Sequence, residues 1–594
     1  MVYGLAPAMP RAFLIPIIIF NVFGAIPIVY LEMIMGQYSQ SGAIPVWNVC
    51  PLLKGVGYGT VISTFLFSIY YGVVICWMLF YFIHSFFPTL PWTTCNNEWN
   101  VQEAEVCIPR TGAAPSGTTS GKDTLLDNVT TMFTTSSSTA MSVVSNVTEL
   151  KKSTSAEQFL RYKALDMTDG LDELGSINWP LLGCLAAIEV LCFLCIFKGV
   201  KLTGKVVYFT VLGPFVLLAI FLVRGAILPG AEIGIKYYLT PDLSKLTETK
   251  IWAEACMQVF VSVGPGFGGM ITFASYNKFT NNCMRDAILV CLMDLLAGFS
   301  GGFVIFSVLG HVSHETGIDI KSFNQSGYGL GFIAYPEAAN YLPPPQLWCA
   351  LFFFMSIFLG IDSQFPNYEI VVTAIKDEFS KRLHGKTTQL TLIVIVLAFL
   401  LAIPQVTGGG YYLLTLLDWY AATFSVTIFA LIELLVMAYV YGIKRVDANM
   451  REMTGKGVPL LFKIAWCVTT PLLLAVTLGF TVYTYEPPSY GSYEYEQWHI
   501  GLGWCIAAFS LAPIPIYVIY RLYKTPGTLF ERLKINLRPN ELWGPPEEIR
   551  NPEIIPQEKL WGPAFTGNDD IKTDTSKSPD KIDGLDNPSF QTKL

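Results

Sequence analysis

Apolar residues in this chain come in blocks of about twenty, the length an α-helix needs to cross a bilayer core. Eleven blocks stand out, at residues 12–35, 61–86, 179–197, 206–223, 255–276, 287–311, 347–374, 390–403, 411–441, 460–485 and 500–520. The block at 390–403 is the shortest of them. The pattern predicts an all-α polytopic membrane protein.

The polar stretches between blocks alternate in charge. One set is basic: Lys198, Lys201 and Lys205; Lys278 and Arg285; Lys376, Lys381, Arg382 and Lys386; Lys444, Arg445, Arg451 and Lys456. The intervening set is a long polar loop over 88–177, an uncharged stretch over 404–410 and an acidic stretch over 486–499 without Lys or Arg. Short basic loops stay in the cytoplasm. The C-terminus is therefore expected to be cytoplasmic, with a transmembrane domain over 1–524 and a tail over 525–594. Eleven spans would put Met1 outside, yet residues 1–11 hold no signal peptide. Either the count is off by one or a further helix precedes Met1; the expectation is a further helix.

Composition narrows the class. Of 594 residues, 52% are hydrophobic and 14% charged, against about 25% charged in soluble proteins. No basic run or zinc spacing points to nucleic acid. Most of the 13 cysteines lie inside apolar blocks, where a thiol behaves as a small hydrophobe. Cys95 and Cys107 instead share the 88–177 loop with two sequons, at Asn128 and Asn146, and a Ser/Thr-rich stretch. That grouping predicts an extracellular glycosylated loop and a Cys95–Cys107 disulfide.

Three features break helix rules at membrane depth. The fifth block holds Pro265 among Gly264, Gly266, Gly268 and Gly269, and Gly costs about 1 and Pro about 3 kcal/mol in a helix interior. Unwound backbone at that depth must line a cavity or be buried in protein. A simple kink is the alternative. Asp294 and Asp362 each stand within an apolar block, at roughly 2.5–3.5 kcal/mol for a charge at the bilayer centre. Asp362 is followed by Ser363, and carboxylate, hydroxyl and backbone oxygens are ligands for a hard cation. A neutral or backbone-bonded Asp is the alternative. Two such acids beside an unwound helix indicate ion-coupled transport rather than a channel, whose filter repeats its ligands. No catalytic constellation is visible, so an enzyme is not expected.

These residues carry a resemblance. The stretches "SVGPGFGGMITFASYNKFTNNC", "FLGIDSQF", "LPWTTC", "LEMIMGQY" and "GLGW" resemble the neurotransmitter:sodium symporters, solute carrier family 6, with features of both the glycine/proline/GABA and the monoamine carriers. The resemblance implies an inverted-repeat sodium symporter fold of twelve helices with discontinuous first and sixth helices, about eleven of which are present here. It implies a plasma-membrane symporter of a small amino acid or neurotransmitter, such as glycine, proline or GABA. The alternative is a truncated, non-transporting isoform with a regulatory role, because the family's first helix would supply sodium ligands, pocket walls and basic gate partners.

Carried over by motif, Leu359, Asp362 and Ser363 resemble one sodium site. Ser262 and Asp294 resemble part of another, where the family usually has Asn in place of Asp294. Phe67, Tyr71, Val261, Gly264 and Phe267 resemble substrate-pocket residues. Asp418 and Asp377 resemble the extracellular and intracellular gate acids. The family's chloride site is altered: Gln258 and Ser262 remain, but Ile17, Asp294 and Gly298 replace usual ligands. A carboxylate about 4 Å from an anion repels it by roughly 4 kcal/mol at an effective dielectric of 20, so chloride is not expected to bind. Expected partners are the transported solute, membrane lipid, a PDZ domain at the C-terminal "FQTKL" and a second copy of the chain. The Pro-rich tail is expected to be disordered.

Overall fold

The structure, a computed structural model, describes residues 14–546 apart from 101–104, 109–150, 198–199, 241–242, 318, 321–327, 384, 422, 484 and 491–492. Asn128, Asn146, the second half of the tail and the C-terminal Thr592–Leu594 segment lie outside the described residues. The fold is all-α apart from two short strand pairs, Glu105–Ile108 with Lys151–Thr154 and Ser489–Tyr490 with Tyr493–Glu494.

The apolar blocks become helices: α1 (Leu14–Ser39), α2 (Gly55–His84), α3 (Trp179–Ile196), α4 (Val200–Ile227), α5 (Thr249–Val263), α6 (Gly269–Ala274), α7 (Cys283–Thr316), α8 (Pro345–Glu378), α9 (Thr387–Ala402), α10 (Gly410–Ala421), α11 (Thr423–Leu435), α12 (Leu460–Tyr483), α13 (Gln497–Leu511), α14 (Pro513–Lys524) and α15 (Leu529–Asn536). Their ends follow local chemistry. Asn178 caps α3 by accepting from the Leu181 N–H, and Gly317 closes α7 in the left-handed region. Such side chains and glycines satisfy groups that a helix end leaves without partners.

Nine helices among the described residues are long and apolar enough to cross a bilayer, or ten with the bent pair α13–α14. The eleven expected blocks differ from this count for two reasons. Pro513 bends the last block by 40°. The fifth block is not one helix: α5 ends where Gly264 turns to φ 76°, and Gly266 and Gly268 follow at 82° and 73° before α6 begins. The short block at 390–403 lies within a full-length span, Thr387–Val406.

Burial separates centre from rim. In the apolar window of α2, 67% of residues are buried, against 22% for α4, so α2 is central and α4 presents its apolar face outward. α8 lies along α2, with α3, α4 and α9 against its flanks. The loop after α2 is partly folded onto this centre. Cys95 and Cys107 are joined in a disulfide. Phe159, fully buried, sits against Tyr81, Trp92 and Trp99 at ring distances of 5.2, 5.4 and 5.9 Å.

The first part of the tail differs from the expected disorder. Thr528 and Glu531 form a capping box for α15. Beyond it Asn540 bonds Asn48, and Trp543 packs on Tyr38 and Tyr441 at 5.8 and 5.7 Å. A Trp buried between two rings gains enough apolar contact to order the chain around it.

Candidate functional site

The broken helix lies against the middle of α2. Thr64 donates to the Phe267 carbonyl at 3.0 Å, so a side chain of α2 satisfies a backbone oxygen that the break releases. Gly266 N–H is satisfied from the other side, by the Glu32 carboxylate at 2.6 Å. Glu32 is fully buried, and Glu433 of α11 lies beside it. The break is therefore a built feature with backbone partners, not a loose kink.

Aromatic side chains surround it. Phe67 stacks on Tyr71 at 5.1 Å and meets Phe267 edge-on at 5.4 Å. The Tyr71 hydroxyl in turn lies near the Ser363 side chain of α8. Phe67, Tyr71, Phe267 and Ser363 thus meet, four residues from three separate stretches of sequence. Val261, at 39% exposed, and Gly264 lie on the α5 side of the break.

The acids have defined partners. Asp362 accepts from the Thr210 hydroxyl of α4 at 2.8 Å. Its neighbour Ser363 donates to the Leu359 carbonyl at 3.4 Å. Carboxylate, hydroxyl and carbonyl oxygens are the groups that hard cations take as ligands. Among the described residues no three His, Cys, Asp or Glu side chains converge as a transition-metal site would need. Asp294 accepts from Ser262 at 2.7 Å, joining α7 to α5 just before the break. Gly298 follows one turn later and supplies no side chain, and Ile17 packs into the apolar cluster of α1 and α5.

Of the two remaining acids, one borders this centre and one lies apart from it. Asp418 of α10 lies near the hydroxyl of Tyr70, adjacent to Tyr71. Asp377 accepts from Gly42 N–H at 3.2 Å near the C-terminal end of α8, fifteen residues from Asp362 and so about 22 Å along the helix.

Four buried acids of the same kind escaped the sequence reading: Glu32, Glu189, Glu369 and Glu433, each 5% exposed or less. Their signal was the one that marked Asp294, a lone acid within an apolar run. Thr210 escaped as well, because nothing local distinguishes a threonine that serves an acid 152 residues away.

A polytopic helical protein with a helix unwound at membrane depth and carboxylates beside the break has the architecture of a secondary transporter. The protein-family model for the sodium:neurotransmitter symporter family matches residues 10–525. The chain belongs to that family, and is a transporter-family protein rather than an enzyme. It is 40% identical over 538 residues to the sodium- and chloride-dependent glycine transporter 1 of Xenopus laevis, covering 90% of this chain and 82% of that protein. It is 36% identical over 536 residues to glycine transporter 2 of the same species, covering 90% and 68%. The sodium-dependent dopamine transporter of Bos taurus is 37% identical over 531 residues, covering 89% and 72%.

Proposed function

We propose that this protein is a sodium-coupled symporter of a small amino acid, glycine before proline or GABA, working at the plasma membrane with its tail in the cytoplasm. The observation that carries the reading is the meeting of Tyr71, Ser363 and the Gly264–Gly268 break. In this reading the Tyr71 hydroxyl and the unwound backbone face the solute beside the Asp362–Ser363 edge of α8. Two glycine transporters among the relatives favour glycine.

In this reading Leu359, Asp362 and Ser363 hold one sodium ion, and Ser262 and Asp294 contribute to a second. Phe67, Tyr71, Val261, Gly264 and Phe267 bound the solute, and Asp418 and Asp377 gate the two sides. Each ion gains about 2.3 kcal/mol per 100 mV and about 1.4 kcal/mol per tenfold gradient. At about −70 mV two ions together supply roughly 6 kcal/mol, enough to concentrate a neutral solute about 10⁴-fold. Chloride is not required: Asp294 already places a fixed negative charge against Ser262, at a distance of 2.7 Å. In this the chain departs from its sodium- and chloride-dependent relatives.

Uptake of labelled glycine, proline and GABA, in sodium medium and in choline medium, tests the reading. The expected result is sodium-dependent uptake of glycine. Surface-expressed protein that takes up none of the three in a sodium-dependent way overturns it.

A further inference from the structure

Glu189 stands in the middle of α3, 5% exposed, and forms no ion pair with Lys or Arg among the described residues. Two groups of α8 face it: the Tyr368 hydroxyl, 2.9 Å from each carboxylate oxygen, and the Gln364 amide beside it. The Gln364 amide donates both to that hydroxyl, at 3.0 Å, and to the Ser68 carbonyl of α2, at 2.8 Å. Gln364 and Tyr368 are both fully buried. Glu189 also rests directly on α2, since a Cβ added at Gly72 would lie 2.8 Å from its Oε1. Three helices are tied at one point, in contact with the residue after Tyr71.

The place of the tie on α8 gives it a purpose. Pro366 lies inside α8. It has no N–H, so the Asp362 carbonyl loses its helical donor. The helix is thus weakest between residues 362 and 366, where the proposed sodium ligands Asp362 and Ser363 are carried. Gln364 and Tyr368 are bonded to each other across that gap, one turn apart. The side-chain brace replaces the restraint that the backbone lost.

We infer that Glu189, acting through Tyr368 and Gln364, is a positioning residue that fixes the Asp362–Ser363 edge of α8 for sodium. It does not touch the ion. This inference rests on the sodium-symporter reading given above.

The test is sodium-dependent thermal stabilisation of the full-length protein in detergent, with choline holding ionic strength constant. The sodium concentration for half-maximal stabilisation should rise by about tenfold or more in Tyr368→Phe and in Glu189→Leu, the low end of the loss expected for one buried hydrogen bond to a charged group. Glu189→Gln, whose amide oxygen still accepts from Tyr368, should stay within about twofold of wild type, and the double variant should be no worse than either single. A brace that is merely structural would lower the sodium-free unfolding temperature and leave the half-stabilising concentration unchanged; that result overturns the inference, as does a Glu189→Gln variant as impaired as Glu189→Leu. A wild-type protein that sodium does not stabilise overturns the symporter reading, and this inference with it.

Discussion

The helix break offers a graded test, because its three left-handed glycines meet different surroundings. Alanine at Gly264, Gly266 or Gly268 has to adopt a φ between 73° and 82°, and the left-handed region costs an L-residue roughly 1–2 kcal/mol. At Gly264 that is nearly all, since the new Cβ meets only a Phe267 ring carbon at 3.8 Å. At Gly268 the Cβ would press on the Ala43 and Thr60 side chains at 2.8 and 2.9 Å, adding about 1–3 kcal/mol of overpacking. At Gly266 it would lie 2.7 Å from the Val426 carbonyl, a backbone atom of the neighbouring helix that cannot swing away. Relief by moving Gly266 also strains its N–H bond to Glu32, and a hydrogen bond to a charged group contributes about 1.5–3 kcal/mol. The expected cost is therefore about 1–2 kcal/mol for Gly264→Ala and about 4–6 kcal/mol for Gly266→Ala, with Gly268→Ala between. Thermal unfolding of the three purified variants in one detergent should give midpoints in that order. Equal losses at Gly264 and Gly266 would refute the packing argument and leave only the backbone term.

Other consequences follow from the same geometry. Replacing chloride by gluconate should leave sodium-dependent uptake unchanged, and a fall would overturn the assignment of the fixed charge to Asp294. Cys95→Ser opens a disulfide whose cysteines are 12 residues apart, and should destabilise the loop after α2 by about 3 kcal/mol on the chain-entropy account, read as faster proteolysis between α2 and α3. Lys54→Met should lower stability by about 1–2 kcal/mol, because Lys54 meets both oxygens of a Glu378 side chain that is only 20% exposed. A double-mutant cycle with Glu378→Gln checks that figure: additive losses would deny the pair any coupling.

What could be read from the chain alone was what depends on neighbours in sequence. Twenty apolar residues bury their own backbone hydrogen bonds as a helix, so each block declared itself wherever it would pack. The break at Gly264–Gly268 was equally legible, because glycine and proline act on their own φ and their own N–H. The same holds for Asp294 and Asp362, whose cost in lipid is set by the run around them. Blocks that bend or split, as at Pro513 and Gly264, cannot be counted from hydropathy, which registers composition and not axis direction.

Partnership was decided only by the tertiary structure. Thr210 reaches Asp362, Glu32 reaches Gly266 N–H, and Tyr368 reaches Glu189, across 152, 234 and 179 residues. A buried acid has to find a donor, and any of several helices could in principle have carried it. Which one does so depends on how the helices pack and which side chains face each other at one depth. Apolar patterning constrains this weakly when every helix is apolar on most sides. The sequence of this protein therefore determined that costly polar groups would lie within the membrane; the packing of α2, α3, α4 and α8 decided what offsets their burial and which of them stand beside the break.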